Sequence, residues 1–239
     1  MSHDERFSSV GILDPLASFP PAPPLGGALA AELAHLAPVS TRSPKRAFVV
    51  LAIVGVSLVA LPLARFGLRR DLPFLPKSWV VTMAVLWAAG FIATAWAATI
   101  PPPRAVLPDA ARAGRRALLV AGLLMLLGLF ATVDAAGHTW IPEPTFAGFA
   151  ARWLPCTIFG VVIVLPFLIA SAIVLWRLVP MGGARVAAAV GAAGGAAAGL
   201  LLNLVCPVGG PLHVGLSHGG LCLIGAALAM LVLPRAIRR

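Results

Sequence analysis

Six separate apolar stretches, each about as long as a lipid bilayer is thick, dominate this 239-residue chain. An α-helix needs about 20 mostly apolar residues to cross the hydrocarbon core. Lipid offers no hydrogen-bond partner to a bare backbone, so every crossing must be a helix or part of a closed barrel. The runs are continuous and do not alternate with a period of two, which favours helices. The six stretches are Phe48–Phe66, Trp79–Thr99, Ala117–Ala136, Ile158–Leu175, Val186–Val205 and Gly215–Leu233.

The sequence therefore predicts an all-α polytopic membrane protein with six transmembrane helices and a short cytoplasmic N-terminal tail. We expect residues 1–45 to form the tail and residues 46–239 to form the transmembrane domain. The composition agrees, because 60% of the residues are hydrophobic and only 11% are charged, whereas soluble domains carry about 25%. Little remains outside the spans to carry the function.

The basic residues predict the orientation of these spans. An even number of spans places both termini on one side, and Lys and Arg beside the spans favour the cytoplasmic side. With both termini inside, 12 such residues face the cytoplasm and 5 face outward. The inner set is Arg42, Lys45, Arg46, Arg104, Arg112, Arg115, Arg116, Arg177, Arg185, Arg235, Arg238 and Arg239; the outer set is Arg65, Arg69, Arg70, Lys77 and Arg152.

The net charge of +10 has a second interpretation, which is nucleic-acid binding. The basic residues instead sit at span ends, where they meet anionic lipid headgroups, and no basic cluster is interleaved with aromatic residues. We therefore expect membrane lipid as a partner and no direct nucleic-acid contact. Residues 1–46 lack the early apolar core of a signal peptide. A composition rich in Ala, Arg and Pro resembles that of high-GC bacteria, and so predicts the bacterial inner membrane.

The tail contains one amphipathic segment after a proline-rich linker. A helix is predicted over about residues 25–37, and Pro38 ends it. Its leucines fall on one stripe, at Leu25, Leu29, Leu33 and Leu36. A lone helix of about a dozen residues is marginal in water. The stripe therefore docks in a partner's groove, packs on the bundle or lies on the membrane, and the residues alone leave these possibilities open.

Two of the three cysteines are predicted at the outer face. Cys156 lies where the fourth span begins, and Cys206 lies where the fifth span ends. The bacterial compartment outside the inner membrane is oxidising, so a disulfide between them is allowed. A disulfide needs the two Cα atoms within about 7 Å, a distance that sequence does not supply. Cys222 is best interpreted as a small buried residue of the sixth span.

Histidines accompany the second of these cysteines. His213 follows Cys206 after a Gly/Pro-rich turn, which can bring the two side chains together. His218 lies further along the sixth span. A soft Cys/His site for a transition metal at His213 and His218 is one interpretation, and an interhelical hydrogen bond of His218 is the other. No other cofactor is expected. Asp134, near the outer end of the third span, is either functional or within reach of water.

The sequence contains no catalytic motif that would indicate an enzyme. It has no nucleotide-binding loop, nucleophile elbow, HExxH motif or paired carboxylates. A small transporter or channel is the main alternative class, because six spans and a glycine-rich fifth helix permit it. Transporters usually place ionisable residues or broken helices at mid-membrane, and candidates are few here. A membrane oxidoreductase would need a CxxC pair or facing haem-ligand histidines, which are absent from the sequence.

Three short segments carry a resemblance to a known family. They are the leucine-rich helix ending in Leu36-Ala37-Pro38-Val39, the cysteine at Cys156, and the turn from Cys206-Pro207 to Pro211-Leu212. In this order, with six spans, the chain resembles the NrsF-like negative regulators of sigma factor over nearly its whole length. These proteins are membrane anti-sigma factors of extracytoplasmic-function sigma factors.

The resemblance implies a role for each segment. The tail, with Leu25, Leu29, Leu33 and Leu36, would hold an extracytoplasmic-function sigma factor at the inner membrane, away from RNA polymerase. Cys156 and Cys206 would sense metal or oxidative stress from outside and release the sigma factor. Neither the identity of the signal nor an oligomeric state is indicated.

Overall fold

The computed structural model describes residues 43–103, 108–130, 146–178, 183–208 and 210–237. Within these ranges six helices are long and apolar enough to cross a membrane, and no strand is present. The predicted fold class, a polytopic all-α membrane protein, is thereby confirmed. The tail leucines Leu25, Leu29, Leu33 and Leu36 lie outside the described residues, as does Asp134.

The first five helices follow the predicted order. They are α1 (Pro44–Phe66), α2 (Lys77–Thr99), α3 (Ala110–Phe130), α4 (Phe146–Leu178) and α5 (Ala184–Val205). A single 3-10 turn, Leu72–Phe74, lies between α1 and α2. The sixth helix, α6, is composite: Pro211–His213 leads into a wide π turn, Val214–Gly219, and the helix continues as Gly220–Ile237. All six of these helices begin before the predicted apolar stretches, because a helix can extend beyond the hydrocarbon core.

Side-chain caps set where two of the helices begin. The Ser43 hydroxyl accepts a hydrogen bond from the backbone N–H of Arg46, and Pro44 occupies the first helical position of α1. The Asp109 carboxylate accepts hydrogen bonds from the N–H groups of Ala111 and Arg112 in the first turn of α3. These bonds, Arg112 foremost, hold the pKa of Asp109 below its ordinary value, so the capping group stays ionised at neutral pH.

Helix α5 is the centre of the bundle and contacts all the other long helices of the described chain. Its glycines let neighbouring backbones approach closely, as small-residue faces do in membranes. A Cβ atom added at Gly191 would lie 2.0 Å from the carbonyl oxygen of Gly225 on α6, and one at Gly195 would lie 2.3 Å from that of Leu221. The glycine-rich fifth span therefore packs closely through its small residues, and α6 is its main partner.

The outer surface of the bundle is apolar, as a lipid-facing surface must be. Large hydrophobic side chains are exposed on α1, α3 and α4, among them Leu61, Leu118 and Ile169. Helix α1 is the least enclosed of the candidate spans, with only Ala47, Leu51 and Gly55 buried along its length. Helix α1 thus has fewer packing contacts to break than α5 if it moves.

Candidate functional site

Cys156 and Cys206 meet at one end of the bundle. Cys156 lies on α4, inside the helix and near the start of its membrane-crossing part. Cys206 is the first residue after α5, with its N–H still donating to the Leu202 carbonyl, and Pro207 prevents the helix from continuing. The two sulfur atoms lie 3.5 Å apart as free thiols. The fold thus joins two cysteines that are fifty residues apart in sequence.

His213 completes a three-residue cluster with these cysteines. Its Nε2 atom lies 3.5 Å from the sulfur of Cys206. The three potential ligand atoms of Cys156, Cys206 and His213 all lie within 4.8 Å of one another. The predicted approach of Cys206 and His213 across the Gly/Pro turn is confirmed. Sequence left open whether Cys156 joins them, and the structure shows that it does.

The π turn of α6 places a second histidine beside the cluster. Residues five apart point to different sides of an α-helix, but the wider i→i+5 turn brings them towards one side. The ring of His218 packs edge-on against that of His213, with 5.3 Å between centroids. The hydrophobic pattern did not predict this turn. The signal that could have indicated it is the recurrence of glycine at Gly215, Gly219 and Gly220. Gly215 and Gly219 lie where α6 packs close against α3.

Several polar atoms around the cluster are buried without a hydrogen bond from the described part of the chain. They are Nδ1 of His213, both ring nitrogens of His218, and the hydroxyls of Ser217 and Thr157. Each buried polar group that lacks a hydrogen bond lowers the stability of the fold by about 1–3 kcal/mol. No hydrogen bond of ordinary length and angle therefore links His218 to another described residue, although the Cys206 thiol is near enough to interact with its ring. Cys222 lies wholly buried in the apolar core, as predicted.

Arg69 joins the loop that follows α1 to the end of the bundle where Cys206 lies. The Arg69 N–H donates to the Leu204 carbonyl at 2.8 Å, and its guanidinium donates to the Pro207 carbonyl at 3.4 Å. The guanidinium is buried and forms an ion pair with Asp71, with Nε donating to Oδ1 at 2.6 Å. The sequence pattern indicated Arg69 only as an outward-facing charge and did not predict this contact.

A separate groove of about 350 Å³ lies between α1, α2 and α5. Its lining is entirely apolar and includes Gly55, Phe91 and Ala197. Ion and solute pathways in membranes are lined by polar groups or backbone carbonyls. This groove offers no such groups to a polar solute, so it does not support the transport alternative.

Comparison with known families gives a match that covers most of the chain. Residues 29–238 match the NrsF family, described as negative regulator of sigma F. The matched region begins at Leu29 and contains the thiol–imidazole cluster as well as three of the four tail leucines. No curated protein and no solved structure matches the chain. The chain belongs to the NrsF family.

Proposed function

We propose that this member of the NrsF family is an anti-sigma factor of the bacterial inner membrane, with both termini in the cytoplasm. Its tail holds an extracytoplasmic-function sigma factor, and a metal or oxidative signal at outward-facing Cys156 and Cys206 releases that factor. The observation that carries the proposal is the pair of thiols 3.5 Å apart at one end of the bundle, in a chain whose family is named for negative regulation of a sigma factor.

Capture of the sigma factor depends on the leucine stripe. Leu25, Leu29, Leu33 and Leu36 share one face of the predicted tail helix, and such a face binds in an apolar groove of a partner. Burying a leucine side chain stabilises a complex by very roughly 1.5–3 kcal/mol before ordering costs. Four leucines on a short helix therefore provide a useful affinity.

The signal changes the chemistry of the two thiols. In the oxidative case, a peroxide-type oxidant accepts two electrons and two protons from the thiols, and a sulfur–sulfur bond forms. That bond is about 2.05 Å long, so the two sulfur atoms must approach each other from their present separation of 3.5 Å, through side-chain rotation together with movement of α4 and the end of α5. In the metal case, the thiolates bind one cation. Either event favours a bundle state with the sulfur atoms held together.

Arg69 offers a route from this site to the tail. The Cys206–Pro207 turn contacts Arg69, and Arg69 lies three residues after the end of α1. The tail runs directly into α1, which has few buried residues and so moves at low cost. Displacement of the turn therefore shifts the helix that bears the tail, as coupling between two sites requires.

The experiment that tests capture is a pull-down from detergent-solubilised host membranes, with the tagged chain as bait and mass spectrometry to identify the prey. We expect an extracytoplasmic-function sigma factor with the full chain and none after deletion of residues 1–45. Full recovery with the truncated chain would exclude the tail as the binding segment. Clean recovery of the bait without any sigma factor, under unstressed conditions, would contradict the proposed function and favour transport.

The signalling step is tested with Cys156→Ser combined with Cys206→Ser. We expect this variant to capture the sigma factor like the wild type but to retain it when metal or oxidant is added, because neither a disulfide nor a thiolate site can form. Cys222→Ala is the matched control, since Cys222 is a buried core cysteine that does not belong to the three-residue cluster, and it should release normally. A double variant that responds normally to every inducer would rule out these thiols as the sensor.

A third variant tests the coupling route. Arg69→Gln removes the guanidinium that joins the loop after α1 to the Cys206–Pro207 turn. We expect sigma-factor capture to persist while the inducer concentration for half-maximal release rises about tenfold or more, equal to about 1.4 kcal/mol of lost coupling. Arg70→Gln is the control, because Arg70 is the exposed neighbour. Equal responses of the two variants in a reporter assay would exclude Arg69 from the route.

A further inference from the structure

We infer that Cys156, Cys206, His213 and His218 form a binding site for one soft divalent cation of the Zn²⁺ or Cd²⁺ type. The inference deepens the proposed function, on which it rests for its cellular consequence, by naming the ligand class and adding two histidines to the cysteine pair. Thiolate and imidazole are the ligands that such cations prefer.

Two of the distances between the ligand atoms match those of a tetrahedral site. With Zn–S bonds of about 2.3 Å and Zn–N bonds of about 2.05 Å, a tetrahedron separates two sulfur atoms by about 3.8 Å and a sulfur from a nitrogen by about 3.6 Å. Here the sulfur atoms of Cys156 and Cys206 are 3.5 Å apart, and Nε2 of His213 is 3.5 Å from the sulfur of Cys206. A cation therefore needs only shifts of a few tenths of an ångström along these two edges.

The histidine nitrogens give an independent indication of a ligand. Both rings are wholly buried, yet neither nitrogen of His218 has a hydrogen-bond partner in the described chain. Buried polar atoms in folded proteins are nearly always satisfied. Coordination of a cation by His218 would satisfy one of its nitrogens. The three atoms that already lie within 4.8 Å of one another belong to Cys156, Cys206 and His213. The edge-on contact of the His218 ring with His213, at 5.3 Å between centroids, places the proposed fourth ligand beside His213, and a movement of the ring would bring it to the cation.

The net charge of the occupied site is compatible with its buried position. Two thiolates and two neutral imidazoles around a divalent cation have no net charge, which removes the cost of burying an isolated ion beside the membrane. The ligands come from α4, from the end of α5 and from α6, so that one cation joins three helices. The π turn contributes directly, since it brings His218 to the side of α6 where His213 lies.

The binding test uses the purified, reduced full chain in detergent, titrated with Cd²⁺. We expect one ion per chain and a thiolate-to-cadmium charge-transfer absorption. His213→Ala and His218→Ala should each keep the absorption but weaken binding about tenfold or more, while Cys156→Ser with Cys206→Ser should abolish it. Cys222→Ala should match the wild type. Unchanged affinity in a histidine variant would remove that histidine from the site, and absence of binding to the wild type would overturn the inference.

Because a ligand variant can lose affinity through misfolding, a second measurement uses the wild-type chain alone. X-ray absorption at the zinc edge of the Zn²⁺-loaded protein should show two sulfur atoms at about 2.3 Å and two nitrogen atoms at about 2.0–2.1 Å. A shell of oxygen and nitrogen only, or of sulfur only, would contradict the assigned ligand set.

Failure of this site and failure of the proposed function give different results. The same preparations are assayed for sigma-factor binding by co-precipitation. Sigma-factor binding without cadmium binding would overturn the metal site and leave the anti-sigma function intact. Cadmium binding without any sigma-factor binding would establish the site and overturn the anti-sigma function.

Discussion

Replacement of Leu29 and Leu33 by aspartate should weaken sigma-factor binding by about a hundredfold or more while membrane insertion remains intact. Two buried leucines contribute about 3–6 kcal/mol together, and each 1.4 kcal/mol corresponds to a tenfold change in affinity. Two carboxylates in an apolar groove add a desolvation cost. The measurement is binding of the purified sigma factor to the chain in detergent, together with the amount of protein in the membrane fraction.

The matched control introduces the same two negative charges on the opposite face of the predicted helix. Ala31 and Ala34 lie opposite the leucine stripe on the predicted helix, so Ala31→Asp with Ala34→Asp introduces the same two charges away from the proposed groove. This variant should bind the sigma factor within a few-fold of the wild type. If both double variants lost binding equally, net charge rather than the leucine face would govern capture; if neither did, the stripe would not be the docking face.

Gly191→Ala should prevent the bundle from packing as it does here. The added Cβ would lie 2.0 Å from the carbonyl oxygen of Gly225 and 2.5 Å from its carbonyl carbon. Because these are backbone atoms, no side-chain rotation relieves the overlap, and α5 must move away from α6. Overpacking of a well-packed core costs about 1–3 kcal/mol and occasionally more. We expect the upper part of this range or beyond, seen as a lower thermal unfolding temperature in detergent and a smaller monodisperse fraction.

Gly122→Ala provides the control within another span. A Cβ at Gly122 on α3 meets no atom within 4 Å, so the same chemical change lacks the steric consequence. Alanine also favours the helix more than glycine does, so this variant should unfold at the wild-type temperature or slightly above. Equal stability of the Gly191 and Gly122 variants would show that α5 and α6 do not pack as closely as described.

The candidate site could be predicted only in part. The seven-residue interval with its Gly/Pro turn was sufficient to place His213 near Cys206, because a short chain limits how far its ends can separate. The positions of the spans placed Cys156 and Cys206 at the same membrane face, but their contact stayed open, since residues on different helices have no local signal of proximity. The contact of Arg69 with Pro207 joins residues 138 positions apart, and no local pattern indicated it.

The sequence by itself determined the six helices and their apolar surface. The reason is that a bilayer requires a long apolar helix for every crossing, and this requirement is local to each span. Tertiary structure alone decided which helix is central, that α6 contains a π turn, and that two thiols and an imidazole meet. These features depend on backbone approach at Gly191 and Gly225 and on side chains from α4, α5 and α6. Such contacts are settled only when the helices pack against one another.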